Sequence, residues 1–158
     1  MTRTKDKGKE FEEKFRESWR ETLPDKYIYR LIDVMSGYKG IANVSDFFAH
    51  TNSKLFLIEC KSHLGNTWPL EFRQYEEMVI ADTYNDVYPG VLLWMRDHQV
   101  VVWIPINEIK RMKEDNKKSF NIKMLQENLY NIYVVPSKIL RVYPKMECTI
   151  FNTFNYKE

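Results

Sequence analysis

The stretch Leu55-Phe56-Leu57-Ile58-Glu59-Cys60-Lys61 constrains this chain more than any other feature. An extended chain points successive side chains to opposite faces. A run that is apolar on both faces therefore needs cover on both sides, as a central strand has between two layers. Glu59 and Lys61 close the run and, two residues apart, point to one face.

The surrounding pattern supplies the layers. Phe11, Phe15 and Trp19 recur every four residues and predict an amphipathic helix ending before Pro24. Tyr27–Val34 alternates loosely as a strand. Val44–His50 reads as another strand, joined to Leu55–Lys61 through the turn sequence Thr51-Asn52-Ser53-Lys54. His63–Trp68 reads as a loop and about Leu70–Asp82 as a helix. Val91–Met95 and Val100–Ile104 are expected strands. Pro105 starts a helix to Lys113, since proline suits the first helical position. Ile122–Asn128 reads as a short helix and Ile132–Val135 as a strand. The order α-β-β-β-α-β-β-α gives an α/β fold, a mixed sheet with helices on both faces.

A chain of 158 residues is one domain. The expected division is a mobile basic arm over 1–9, one domain over 10–143, and a tail over 144–158. Three states stay open for that tail: swapped across a dimer, laid over the sheet, or disordered. Two cysteines exclude a disulfide scaffold. The first ten residues lack an apolar signal, and the longest apolar runs are too short to cross a bilayer. The expectation is a cytoplasmic protein with free thiols. A net charge of +2 falls short of a dedicated nucleic-acid domain but leaves room for a basic patch.

Chemistry concentrates at Asp46, Glu59 and Lys61. Of four acid-x-Lys matches in the chain, only Glu59–Lys61 closes an apolar strand and has an acid on the strand before it. If Thr51 pairs with Lys54, Asp46 faces Glu59 with Cβ atoms about 4.5–5.5 Å apart. Two carboxylates so close repel unless a cation lies between them. Oxygen ligands without paired His or Cys favour Mg²⁺ or Mn²⁺, one or two per site. A metal held by acids beside a lysine suits phosphodiester hydrolysis. The plainer alternative is a structural acid–lysine ion pair.

These residues resemble the PD-(D/E)XK nuclease superfamily, and more closely the RecU-type Holliday junction resolvases. Gly8-Lys9-Glu10-Phe11-Glu12 is similar to that family's opening helix pattern. Asp46 and Leu57-Ile58-Glu59-Cys60-Lys61 match its acid and its Glu-x-Lys strand. Thr67-Trp68-Pro69-Leu70, Gln74 and Gly90-Val91-Leu92-Leu93 continue the order. The resemblance spans about residues 8–105. The segment Asp33–Ser45 is short where the family projects a stalk, which suggests a divergent bacterial or phage-encoded form.

The resemblance implies a restriction-endonuclease-like core and a homodimer that cuts four-way junction DNA by paired nicks. A recombinase is a further implied partner. Asp46 and Glu59 become metal ligands together with the backbone carbonyl of Cys60, and Lys61 becomes the catalytic lysine. Glu12 would orient water or hold Lys61; otherwise it is one acid of an exposed face. Gln74 would position Lys61 or DNA. Arg3, Lys5, Lys7 and Lys9 would meet phosphates beside Glu12. His63 and Thr67 follow Lys61 toward DNA, and Trp68 is the aromatic that DNA would reach. A duplex-cutting nuclease and a non-catalytic DNA-binding module remain as other readings.

Overall fold

The computed structural model describes residues 4–32 and 43–157, with side chains from Lys7 onward. Its centre is a six-stranded sheet in the order β1-β2-β3-β5-β6-β8. These strands are β1 (Ile28–Arg30), β2 (Phe47–Thr51), β3 (Lys54–His63), β5 (Val87–Met95), β6 (Val100–Pro105) and β8 (Tyr133–Val135). Two ribbons accompany it: β4 (Thr67–Pro69) with β7 (Ser119–Asn121), and β9 (Ser137–Leu140) with β10 (Tyr143–Met146). The helices are α1 (Thr4–Thr22), α2 (Tyr75–Ala81), α3 (Ile106–Glu114) and α4 (Met124–Glu127).

The β2–β3 hairpin turns at Asn52 and Ser53, both with positive φ (52° and 60°). Two such residues make the turn whose twist matches that of the flanking strands. It pairs Thr51 with Lys54 and carries the register to Phe47 opposite Ile58. β3 then runs parallel to β5, Leu55 with Val87 through His63 with Met95. It is central, as its apolar run requires.

Each face of the sheet buries its own core. On one face α1 presents Phe11, Phe15 and Trp19 to Phe47, Phe56, Ile58 and Trp103. On the other, α2 and α3 bring Met78, Ile109 and Met112 against Val91, Leu93, Val102 and Ile104. Gly90 pairs with Pro105 at one end of the β5–β6 ladder. A Cβ there would lie 2.6 Å from the Ile104 carbonyl oxygen and 2.7 Å from the Trp103 ring.

The structure departs from the sequence reading at three places. From Thr4 onward, the expected mobile arm is the opening of α1, so Lys7 and Lys9 are helical residues. Lys5 lies on the same helix with its side chain outside the described part, and Arg3 lies outside the described residues. The expected helix over 70–82 begins only at Tyr75, because Leu70 N bonds the Lys118 carbonyl in the β4–β7 ribbon. Of the expected loop over 63–68, His63 ends β3 and Thr67 and Trp68 open β4, which leaves Leu64, Gly65 and Asn66 as the loop.

The tail is laid over the sheet. A 3-10 segment, Cys148–Thr153, follows β10 and puts Phe151 against Phe15, Trp19, Phe56 and Trp103. Phe154 and Tyr156 continue the cluster. The core of residues 10–143 is thus completed by residues 144–157.

Candidate active site at the open end of β3

β3 continues five residues beyond Ile58, its last pairing with β2. Past that point the β2-side edge of β3 is open, and Asp46 stands at the opening. Asp46 N donates to the Ile58 carbonyl at 3.1 Å, and Cys60 N donates to Asp46 Oδ2 at 2.9 Å. A strand residue points its N–H and C=O to the same edge. The Cys60 carbonyl therefore faces the edge that Asp46 occupies.

Glu59 lies on the face away from α1, because Phe56, Ile58 and Cys60 fill the α1 side. It is 3% exposed. Its Oε2 pairs with Lys61 Nζ at 3.2 Å, while Oε1 is buried without a hydrogen-bond partner. Burial, and then the negative charge of Asp46, push the Glu59 carboxyl up to about 8. Burial also raises Asp46, opposed by the Cys60 N–H and the Arg30 guanidinium. The expected register between Asp46 and Glu59 runs to Phe47 opposite Ile58, and Asp46 follows at the edge of β3, close enough for its charge to act on Glu59.

Arg30 is the residue that sequence reading missed. It projects from β1 toward α1, with Nη2 2.8 Å from Glu12 Oε2 and 3.7 Å from Asp46 Oδ1. Nε donates to the same Glu12 oxygen at 2.9 Å. Glu12 thus reaches the acid pair through a guanidinium on another strand. The only trace in the sequence is a basic residue at an inward position of a strand whose other inward residue, Ile28, is apolar.

The remaining candidates divide. His63 ends β3, half-buried, on the same alternation as Glu59 and Lys61. Thr67 is exposed on β4, opposite Asn121. Trp68 is 5% exposed and packs on Phe72, so DNA does not reach it without unfolding the ribbon. Gln74 stands at the N-terminus of α2, its Oε1 buried without a partner. Lys7 Nζ donates to Tyr143 Oη at 3.3 Å and lies over that ring. Lys9 lines a cleft between α1 and the β9–β10 ribbon, with Glu13, Glu17 and Arg141, away from the acid pair. Cys60 and Cys148 are buried free thiols, and burial pushes both up, Cys148 to about 12.

The donor set fits a hard cation. It comprises two adjoining carboxyls, one with an orphaned buried oxygen, and a main-chain carbonyl on the same edge. Among the described residues no group of three or more His, Cys, Asp and Glu side chains is arranged to hold a metal ion. Nor is any helix among them long and apolar enough to cross a membrane.

No protein-family model matches the sequence, and neither does any curated protein sequence. Solved structures do match the fold. One is Archaeoglobus fulgidus Hjc, a Holliday junction resolvase from an archaeal hyperthermophile. The match covers 78% of this chain and 95% of that one, with a TM-score of 0.53 and 15% identity. At that identity the likeness establishes the fold, a restriction-endonuclease-like mixed α/β sheet.

Proposed function

We propose that this protein is a metal-dependent endonuclease that cuts branched DNA, with a four-way junction as its substrate. The observation that carries the reading is Glu59 Oε1, a buried oxygen with no partner, in a carboxyl set against Asp46 and Lys61. A purely structural ion pair has no use for a second buried acid beside it. The fold shared with an archaeal Holliday junction resolvase supports the choice of branched DNA over linear duplex.

Glu59, Asp46 and the Cys60 carbonyl would hold Mg²⁺ or Mn²⁺, one ion or two. The ion supplies a more acidic water and a positive charge for the phosphate oxygens. The rest falls to the chain's own groups. Lys61, with a third of its side chain exposed, directs its ammonium at charge developing on the phosphate. Glu12 and Arg30 fix the Asp46 carboxylate from the α1 side. In the reaction the water oxygen joins phosphorus, the phosphorus–oxygen bond to one sugar breaks, and that sugar oxygen takes a proton.

A junction has near two-fold symmetry and needs two matched cuts, which a C₂ homodimer with two identical sites delivers. The deciding experiment is cleavage of a synthetic four-way junction beside matched duplex and fork, in Mg²⁺ or EDTA, with wild type and Asp46→Asn. The expected result is symmetric nicking of the junction alone, lost with EDTA and with the variant. Equal cutting of duplex would move the function to a general or restriction-like nuclease. Tight binding without cutting would leave a binding module.

A further inference from the structure

The sheet face that carries Glu59 and Lys61 continues past the acid pair onto β2 and β1. Tyr29 pairs with Phe48, and Phe48 with Leu57, two residues before Glu59 on the same side of β3. His50 N donates to the Tyr27 carbonyl at 2.9 Å, which extends the ladder and sets Tyr27 opposite His50 on this face. Ile28 and Arg30, between and beyond them, turn the other way, toward α1. The helices α2 and α3 pack over β5 and β6, and the β1–β2 end carries aromatic rings in the open. Tyr27 is 63% exposed and Tyr29 46%. Their rings lie parallel, 6° between planes, with centroids 6.4 Å apart.

We propose that Tyr27 and Tyr29 form a stacking platform for nucleobases of the strand cut at Asp46 and Glu59. The proposal rests on the nuclease reading above and adds a base-binding subsite to it. Leu31 N bonds the Asp46 carbonyl at 2.8 Å, so Leu31 and Asp46 are opposed. Tyr29, two residues back, is then a diagonal neighbour of Asp46, with Cα atoms roughly 7–8 Å apart. Stacked nucleotides follow one another at about 3.4 Å along a strand. The platform therefore meets a base one or two nucleotides from the scissile phosphate.

Exposed tyrosines suit this work because the ring face takes any base while the hydroxyl stays wet. Bases at a branch point are the cheapest in a junction to unstack. A second copy of the chain is a poorer occupant. Tyr27, Tyr29, Phe48 and His50 are four side chains, and a stable interface needs about 20–30 residues a side.

Both tyrosines are on the surface, so their replacement leaves the core intact. Binding of a labelled four-way junction is measured by anisotropy on the Asp46→Asn background, which separates affinity from cleavage. Tyr27→Ala with Tyr29→Ala is expected to weaken binding roughly tenfold. The Phe pair stays within about twofold of the parent, because it keeps both ring faces. Abasic sites flanking the cut weaken the parent as much as the Ala pair does, and weaken the Ala pair no further. Equal affinity of the Ala and Phe pairs, with wild type still cutting junctions, would overturn the platform and leave the nuclease standing. Failure of wild type to bind or cut any branched DNA would remove the nuclease reading, and the platform with it. Conversion of a DNA-free dimer to a monomer by the Ala pair would assign the surface to a second copy and overturn the proposal.

Discussion

Glu59 is buried against the negative charge of Asp46 at the open edge of β3, with its Oε1 unpartnered and its Oε2 on Lys61. Burial first, and then the Asp46 charge, hold the Glu59 carboxyl protonated well above the usual range. The fold favours protonated Glu59 up to about pH 8, against an ordinary value of 4.5. Below pH 4.5 folded and unfolded chains both hold the proton, and the contribution to stability is fully present. Between 4.5 and about 8 the unfolded chain releases it first, so stability falls as pH rises. In EDTA the wild-type Tm is expected to drop across that window. Glu59→Gln, which cannot titrate, should flatten the drop and be the more stable protein above pH 8. Mg²⁺ should raise the wild-type Tm more at pH 8 than at pH 6, because the cation displaces a proton. Thermal melts over pH 5–9 check all three.

Lys61 pairs with Glu59 at 3.2 Å and keeps a third of its side chain in solvent, outside both core clusters. Lys61→Met is therefore expected to leave the Tm within a few degrees of wild type. Junction cleavage should fall by about 10²–10³ while junction affinity changes by less than tenfold. Single-turnover rates beside anisotropy separate the two. A parallel loss of affinity and rate would make Lys61 a general phosphate contact instead.

Arg30 joins Glu12 to Asp46, and each of the three side chains is about one-fifth exposed. Arg30→Met strands two acids in a half-buried place. A loss of about 1–3 kcal/mol in urea unfolding is expected, less than a fully buried pair would cost. Arg30 also lowers the Asp46 carboxyl. Its removal should move the acid limb of the pH–rate profile to higher pH. A purely structural Arg30 would lower stability and leave that limb in place.

The central features were legible because each rests on local chemistry. The apolar run at Leu55–Ile58 required cover on both faces, and the Asn52-Ser53 turn fixed the register that brings Asp46 to Glu59. Arg30 was not legible, because its partners lie 18 and 16 residues away on different elements and no local pattern marks it. Trp68 misled for a related reason. A tryptophan between Lys61 and a proline reads as an exposed loop, but the ribbon partner that buries it, Phe120, comes 52 residues later. The tail had the same defect: its aromatics carry no strong period, and their partners Phe15 and Trp19 lie at the other end of the chain.

Gly90 tests whether the β5–β6 contact is as tight as the geometry indicates. A methyl group there meets the backbone oxygen of Ile104 and the ring of Trp103, and Trp103 is itself fully buried. Neither neighbour is the end of a flexible chain. Gly90→Ala is expected to cost about 1–3 kcal/mol by overpacking, although alanine is otherwise the milder residue in a strand. An unchanged urea midpoint would mean that β5 and β6 separate more easily than their register implies.

The C-terminal segment gives the sharpest stability test. Phe151 touches five aromatic rings, those of Phe15, Trp19, Phe56, Trp103 and Phe154. Lys157 fastens the segment further along, pairing with Asp82 at 3.0 Å and donating to the Tyr84 carbonyl at the same distance. Phe151→Ala should cost about 3–5 kcal/mol, as for a large ring removed from a packed core. Ending the chain at Met146 removes Cys148, Phe151, Phe154 and Tyr156 together. That truncation exposes Phe56 and Trp103, and the expected product is insoluble or unfolded by near-UV circular dichroism. A shortened chain that melts cooperatively near the wild-type Tm would show that the sheet and α1 form the core without it.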